Sequence, residues 1–255
     1  VSLNVKTYRS LALIWVVLAA IPSYLLITHQ QLFPLIDLTR LSSTILFFLT
    51  STGTAPYAVL SVVVFLAVSY FCVPKTVWGR LVLAVVLSLL ISFTLNHQLK
   101  SYFEEARPNA VFLSKQSDSP IDLQTFYQQK PEMRRDLIEQ ALQQYQINEG
   151  SNQYKTTPLM AISPMIKGHW EHEVGYAFPS GHTIFATTLV LTASYYLLIS
   201  GATVLNIMLI FWGISMGLSR MLLGMHWPQD VFVSTCLAAM ISLLSVFVIE
   251  KMRGR

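Results

Sequence analysis

Phe178-Pro179-Ser180-Gly181-His182 runs directly into TIFATTLVLTASYYLLIS, residues 183–200. The second stretch carries no Asp, Glu, Lys or Arg and is close to the ~20 residues a helix needs to cross a bilayer. The first places a proline, a glycine and an imidazole where that helix begins, with Pro179 fitting the first helical position. Backbone N–H groups at a helix start have no intrahelical acceptor and point outward. Gly181 lets an anion come close to them, and the helix dipole favours negative charge there. Taken alone, the words also fit an ordinary helix cap with an interfacial His. They gain weight from what recurs elsewhere in the chain.

Working outward, 53% of the 255 residues are hydrophobic and only 12% charged, far from the usage of soluble globular chains. Six runs approach membrane length: 11–28, 54–73, 81–99, 183–200, 203–219 and 231–249. The first follows Lys6 and Arg9 as a signal peptide would, but five further spans make it a retained helix. The reading is therefore an all-α, six-span transmembrane bundle. Lys6 and Arg9, then Lys75 and Arg80, then Lys251, Arg253 and Arg255 fall in alternate connections. The positive-inside rule puts these, and both termini, in the cytoplasm. The net charge of +4 is largely these anchors and calls for no nucleic acid. Cys72 and Cys236 sit at different depths, which predicts two free, buried thiols.

The opposite face then receives 29–53, 100–182 and 219–230. Ile45-Leu46-Phe47-Phe48-Leu49 within the first of these reads as an interfacial or re-entrant helix, or as a loop packed on the bundle. Residues 107–178 form a small helical insertion between spans three and four. Ser119-Pro120 and Lys130-Pro131 resemble helix starts. Leu137, Ile138, Leu142 and Tyr145 recur at helical spacing, and Asn148 to Asn152 breaks the pattern. The chain thus divides into 1–106, 107–178 and 179–255.

Three polar stretches abut the span ends on that face. Lys100 and Arg107 are seven apart, two helical turns if the helix continues, so both cations would share one side. Pro108 marks its end. By themselves such residues also read as snorkelling anchors. Trp227-Pro228-Gln229-Asp230 starts the last span, and a carboxylate in the first turn can reach back as in a capping box. What it would reach is His226, fixing its tautomer and freeing the other ring nitrogen. Asp230 as a structural cap alone is the plainer alternative. Arg220 adds a third cation. Glu171 and Glu173, just before Pro179, would lie at the mouth of the site, as solvated loop residues or as head-group contacts. No Asp/Glu cluster suggests a metal site.

Taken together, Lys100-x6-Arg107-Pro108, Pro179-Ser180-Gly181-His182 and Ser219-Arg220-x5-His226-x3-Asp230 resemble the signature of the type 2 phosphatidic acid phosphatases, with the six-span layout covering nearly the whole chain. The resemblance implies a metal-independent hydrolase without cofactor in a bacterial inner membrane, with its site at the periplasmic face. It implies His226 as nucleophile forming a phosphohistidine, Asp230 orienting it, and His182 as acid then base. Lys100, Arg107, Arg220, Ser180 and Gly181 would bind the phosphoryl group, and Glu173 is a candidate head-group contact. The substrates it implies are lipid phosphates and diphosphates of the surrounding bilayer: phosphatidylglycerophosphate, phosphatidate, lysophosphatidate, diacylglycerol pyrophosphate or undecaprenyl diphosphate. A dedicated undecaprenyl-diphosphatase is the second reading. A lipid or ion transporter is the third, disfavoured because the span interiors lack Asp, Glu, Lys and Arg.

Overall fold

The computed structural model describes residues 5–151 and 160–253; Asn152 and Arg255 lie outside the described residues. The helices are α1 (Val5–Ile27), α2 (Leu41–Ser51), α3 (Tyr57–Cys72), α4 (Lys75–Phe103), α5 (Pro108–Ser114), α6 (Leu123–Phe126), α7 (Pro131–Ser151), α8 (Pro164–His172), α9 (Gly181–Ile199), α10 (Thr203–Leu222) and α11 (Pro228–Arg253). Among the described residues there is no strand, only an isolated bridge between Leu38 and Ile162.

α9 is the axis of the bundle. Almost every side chain from Thr183 to Leu197 is buried, against α1, α4, α10 and α11. Its Ala, Ser and Thr residues let neighbouring backbones approach, as small residues do between membrane helices. Gly213 on α10 shows how close: a Cβ there would meet Val190 Cγ2 at 2.7 Å. Hydroxyls then link helices across the core. Ser92 donates to Thr188 Oγ1 at 3.0 Å, Ser242 to the Thr188 carbonyl at 3.2 Å and Ser194 to Asn206 Oδ1 at 2.6 Å.

Among the described residues, five helices (α1, the one beginning at Lys75, α9, α10 and α11) are long and apolar enough to cross a membrane. The expected span at 54–73 is a shorter helix. α3 has 16 residues, about 24 Å at 1.5 Å per residue, because Pro56 and Pro74 bracket it. It leans chiefly on α4, pinned where Trp78 Nε1 donates to the Leu66 carbonyl at 3.0 Å. Val59, Val63, Phe71 and, on α4, Leu90 and Phe93 remain exposed and apolar. The two cysteines are free as expected, but neither is fully buried: Cys72 is exposed at the end of α3 and Cys236 is half-buried.

At one end of the bundle, Arg80 Nη1 contacts both carboxylate oxygens of Glu250 at 2.7 Å. The other end is capped by α5–α8. Leu113, Ile138, Leu142, Tyr145, Ile166 and Trp170 form a second apolar core together with Phe33, Leu38, Leu223 and Met225. The insertion is therefore knitted to the bundle rather than hung from it. Trp170 Nε1 donates to the Leu223 carbonyl at 2.9 Å, and Trp227 Nε1 to that of Ala106 at 2.8 Å. Within the insertion, α7 starts at Pro131 as read, but runs through Asn148 to Ser151. No helix begins at Pro120. α6 starts at Leu123 instead, with Asp122 accepting from Gln124 N. The segment at 41–51 is helical, and it lies against α10 and α8.

Candidate active site

Four helix ends converge at the capped end: the last turn of α4, the first of α9, the last of α10 and the first of α11. Between them lies a cavity of about 520 Å³ lined by Lys100, Arg107, Glu173, Gly181, His182 and His226, among others.

Lys100 and Arg107 reach this cavity by a different route from the continuous helix expected. α4 stops at Phe103, where Glu104 turns left-handed (φ 49°), and Arg107 precedes α5 as its N-cap. The break is what turns Arg107 inward. Its Nε donates to the Gly175 carbonyl at 2.7 Å, and Lys100 Nζ donates to that of Tyr176 at 3.0 Å. Both cations are thereby held by the segment leading to α9. Arg220, in the last turn of α10, is fully buried. Its Nη1 donates to Thr50 Oγ1 at 2.8 Å and to His169 Nε2 at 3.1 Å.

The start of α9 differs by two residues from the expectation. Pro179 precedes the helix, and Ser180 is the N-cap, its hydroxyl accepting from the Thr183 N–H and Oγ1. Ser180 is buried and does not line the cavity, while Gly181 does. A side chain at Gly181 would press on Asn96, whose Nδ2 would be 3.1 Å from the new Cβ. Asn96 lines the same cavity, and its Oδ1 has no partner among the described residues.

α11 begins at Pro228 with Asp230 in its first turn, as read. Oδ2 of Asp230 accepts from the Trp227 N–H at 2.8 Å and faces His226 Nδ1 at 3.3 Å. The backbone bond fixes the carboxylate, and the carboxylate fixes the ring. Burial, then the cations Arg107, Arg220 and Lys100, holds the His226 imidazole well below its usual pKa. The ring is neutral, and a proton on Nδ1, which faces Asp230, would leave the lone pair on Nε2.

Glu173 lines the cavity and is paired rather than solvated. Its Oε2 lies 2.7 Å from Arg220 Nη2 and 2.9 Å from Arg107 Nη1, and Oε1 is 3.8 Å from His182 Nε2. Burial would raise its pKa, yet Arg220, His182 and Arg107 outweigh burial and keep the carboxyl well below its usual range. A carboxylate bridging two guanidinium groups is a stand-in for an oxyanion. Glu171, on α8, does not line the cavity.

Two contributors escape the sequence reading. His169 on α8, driven to a pKa of about 4 by burial and by Arg220, is neutral and accepts from that arginine. The stretch Thr50 to Thr54 closes α2 and leads out of it: Thr50 holds Arg220, Thr52 accepts from Trp212 Nε1 at 2.9 Å, and Thr54 Oγ1 is 2.8 Å from His182 Nε2. The alternating threonines between two apolar runs are the only signal the sequence offers for this.

Comparison with known proteins bears on the same residues. The PAP2 superfamily profile matches residues 81–253, a range that includes every cavity-lining cation and the three histidines named above. A phosphatidylglycerophosphatase B of Haemophilus influenzae is 34% identical over 215 residues, covering 81% of this chain and 82% of its own. The phosphatidylglycerophosphatase B of Escherichia coli K12 is 29% identical over 210 residues, covering 82% and 76%. An undecaprenyl-diphosphatase of Sulfolobus acidocaldarius is 36% identical over 75 residues, 28% of this chain and 32% of its own.

Proposed function

The chain belongs to the PAP2 superfamily, and from that premise we propose that it is an integral-membrane lipid phosphatase removing the terminal phosphate of phosphatidylglycerophosphate and related lipid phosphates. One observation carries the reading: a neutral imidazole, locked by Asp230 at 3.3 Å, opens onto the cavity whose anion position Glu173 fills between Arg220 and Arg107.

In the proposed reaction, the substrate phosphoryl group displaces the Glu173 carboxylate from the guanidinium pair. Lys100, Arg107, Arg220 and the Gly181 N–H take its oxygens, and the Ser180 cap fixes that N–H. Charge spread over the equatorial oxygens in the transition state is what such preorganised cations and dipoles stabilise. His226 Nε2 attacks phosphorus, and Asp230 supports the positive charge that develops on the ring. His182 supplies a proton to the leaving oxygen. In the second step it accepts one from water, which attacks the phosphohistidine and releases phosphate. Three side-chain cations do the neutralising that a divalent ion does in other phosphatases, so turnover is expected to survive chelation.

The substrate's chains would lie along Ala58, Val59, Leu89 and Phe93, which continue the cavity between α3 and α4. In this topology α3 is the sixth span, shortened as it is, both termini are cytoplasmic and the site opens at the periplasmic face of an inner membrane. Residues 107–178 form the periplasmic cap. The similarity to an undecaprenyl-diphosphatase supports a second substrate class, since three cations also suit a diphosphate.

The test is phosphate release by the purified protein from phosphatidylglycerophosphate, phosphatidate and undecaprenyl diphosphate, with and without chelator. Acid-labile phosphoenzyme should be trapped in the wild type and absent in His226→Ala. No turnover on any of the three, or an acid-stable phosphoenzyme, would reject the reading.

A further inference from the structure

The connection between α2 and α3 brings up a side chain that the two steps above do not use. Oγ1 of Thr54 sits 2.8 Å from Nε2 of His182. A ring nitrogen has a single in-plane direction for its proton or lone pair, so this nitrogen is committed to the hydroxyl. The backbone enforces the approach. Gly53 packs on the same ring so closely that a Cβ there would sit 2.9 Å from Cδ2 of His182. Glu173 Oε1, which marks the position of the phosphoryl oxygens, is 3.8 Å from Nε2, beyond hydrogen-bond distance. Thr54 itself is exposed and lines the cavity beside Ala55, Ala58 and Val59, the wall along which a lipid leaving group would extend.

A hydroxyl accepts on one lone pair while donating its own proton, so it can pass a proton on without becoming charged. We propose that Thr54 is the proton relay between His182 and the leaving oxygen, an inference that rests on the acid–base role given to His182. In the first step the His182 Nε2–H proton moves to Thr54 Oγ1 as the Thr54 hydroxyl proton moves to the leaving oxygen. The P–O bond breaks and the bond from His226 Nε2 to phosphorus forms. His182 ends neutral, Thr54 ends as a hydroxyl and the leaving group ends as an alcohol. In the second step water gives a proton to Thr54 Oγ1 as Thr54 returns one to His182 Nε2. The water oxygen bonds to phosphorus and the N–P bond breaks. His182 is again cationic.

The experiment compares Thr54→Val, Thr54→Ser and His182→Ala, in the full-length protein, on phosphatidate and on undecaprenyl diphosphate. Phosphatidate expels an alkoxide and needs the proton, whereas the diphosphate expels a far less basic phosphate. Thr54→Val is expected to lower kcat on phosphatidate about 100-fold, the lower range for loss of acid catalysis, with little change in KM and a much smaller loss on the diphosphate. Thr54→Ser, which keeps the hydroxyl, should restore most of the rate. Full activity of Thr54→Val on phosphatidate, or equal losses on both substrates, overturns the relay. If His182→Ala shows the leaving-group split and Thr54→Val does not, the relay alone fails. If His182→Ala shows no split, the acid–base role of His182 fails and the relay with it.

Discussion

Glu173 Oε2 lies 2.7 Å from Nη2 of Arg220, and Glu173 lines the cavity in which the proposed reaction places the phosphoryl group. The carboxylate keeps two buried guanidinium groups paired while the site waits, since an unpaired charge in such a place is costly. It also competes with any anion that arrives. Glu173→Gln keeps the shape and removes the charge, so the clamp should bind inorganic phosphate more tightly. A gain of several-fold to about 10-fold in inhibition by phosphate is expected, since each tenfold corresponds to ~1.4 kcal/mol. Product inhibition measured on both proteins checks this. Unchanged inhibition would mean that Glu173 leaves the site without cost.

The Asp230 carboxylate orients His226 and also accepts the Trp227 N–H at 2.8 Å. Asp230→Asn can keep the backbone bond through its amide oxygen, but it no longer stabilises the positive ring that forms on attack. A comparable change in a Ser-His-Asp triad costs about 10⁴-fold in kcat, and a loss on the order of 10³–10⁴-fold is expected here. Thermal stability should change little. Kinetics and melting temperature on the same preparation separate the two effects.

The sequence places the start of α9 two residues early, because Pro179 stays outside the helix, but the start of α11 was legible because Pro228 and Asp230 act locally, within one turn. So was the amphipathic face of α7. Lys100 and Arg107 do share one cavity, but not through the helical spacing that suggested it. Seven-residue spacing assumes one helix, and the left-handed Glu104 carries no signal in sequence that outweighs the propensity of its neighbours. Glu173 reads in the sequence as a solvated loop residue or a head-group contact, because nothing local reveals that Arg220, 47 positions away, will meet it. Thr50, Thr54 and His169 were missed for the same reason. Their roles depend on α2 and α8 folding onto the end of α10, a tertiary contact invisible to any short window.

His169 makes the site sensitive to mild acid. Its pKa falls from an unfolded value near 6.5 to about 4 in the fold, through burial first and Arg220 second. Between those values the unfolded chain binds the proton and the folded chain does not, so stability is full above about 6.5 and declines as pH drops toward 4. One such group sets a slope of at most about 1.4 kcal/mol per pH unit. His226, also held below its usual pKa, acts in the same direction. His169→Gln retains an acceptor for Arg220 and does not titrate. Its melting temperature should therefore fall less steeply than the wild type over this range. Parallel curves would show that His169 is protonated in the fold.

Gly53 makes the last case, because it separates crowding of the site from loss of the fold. A Cβ on Gly53 would stand 2.9 Å from His182 Cδ2 and 3.0 Å from Met216 Cε. Met216 ends in a flexible thioether and can move aside, whereas the imidazole is held by Thr54. Gly53→Ala should therefore tilt the ring and lengthen its contact with Thr54 without opening a cavity. Misplacing a catalytic group by about 1 Å can cost ~100-fold, so kcat on phosphatidate should fall by 10-fold to about 100-fold. Melting temperature should shift only slightly, and acid-labile phosphoenzyme should still form with the diphosphate substrate, whose leaving group needs no proton. Met216→Ala on the Gly53→Ala background would leave the defect in place if the ring is what suffers. Recovery of activity in that double variant would instead assign the damage to packing against α10.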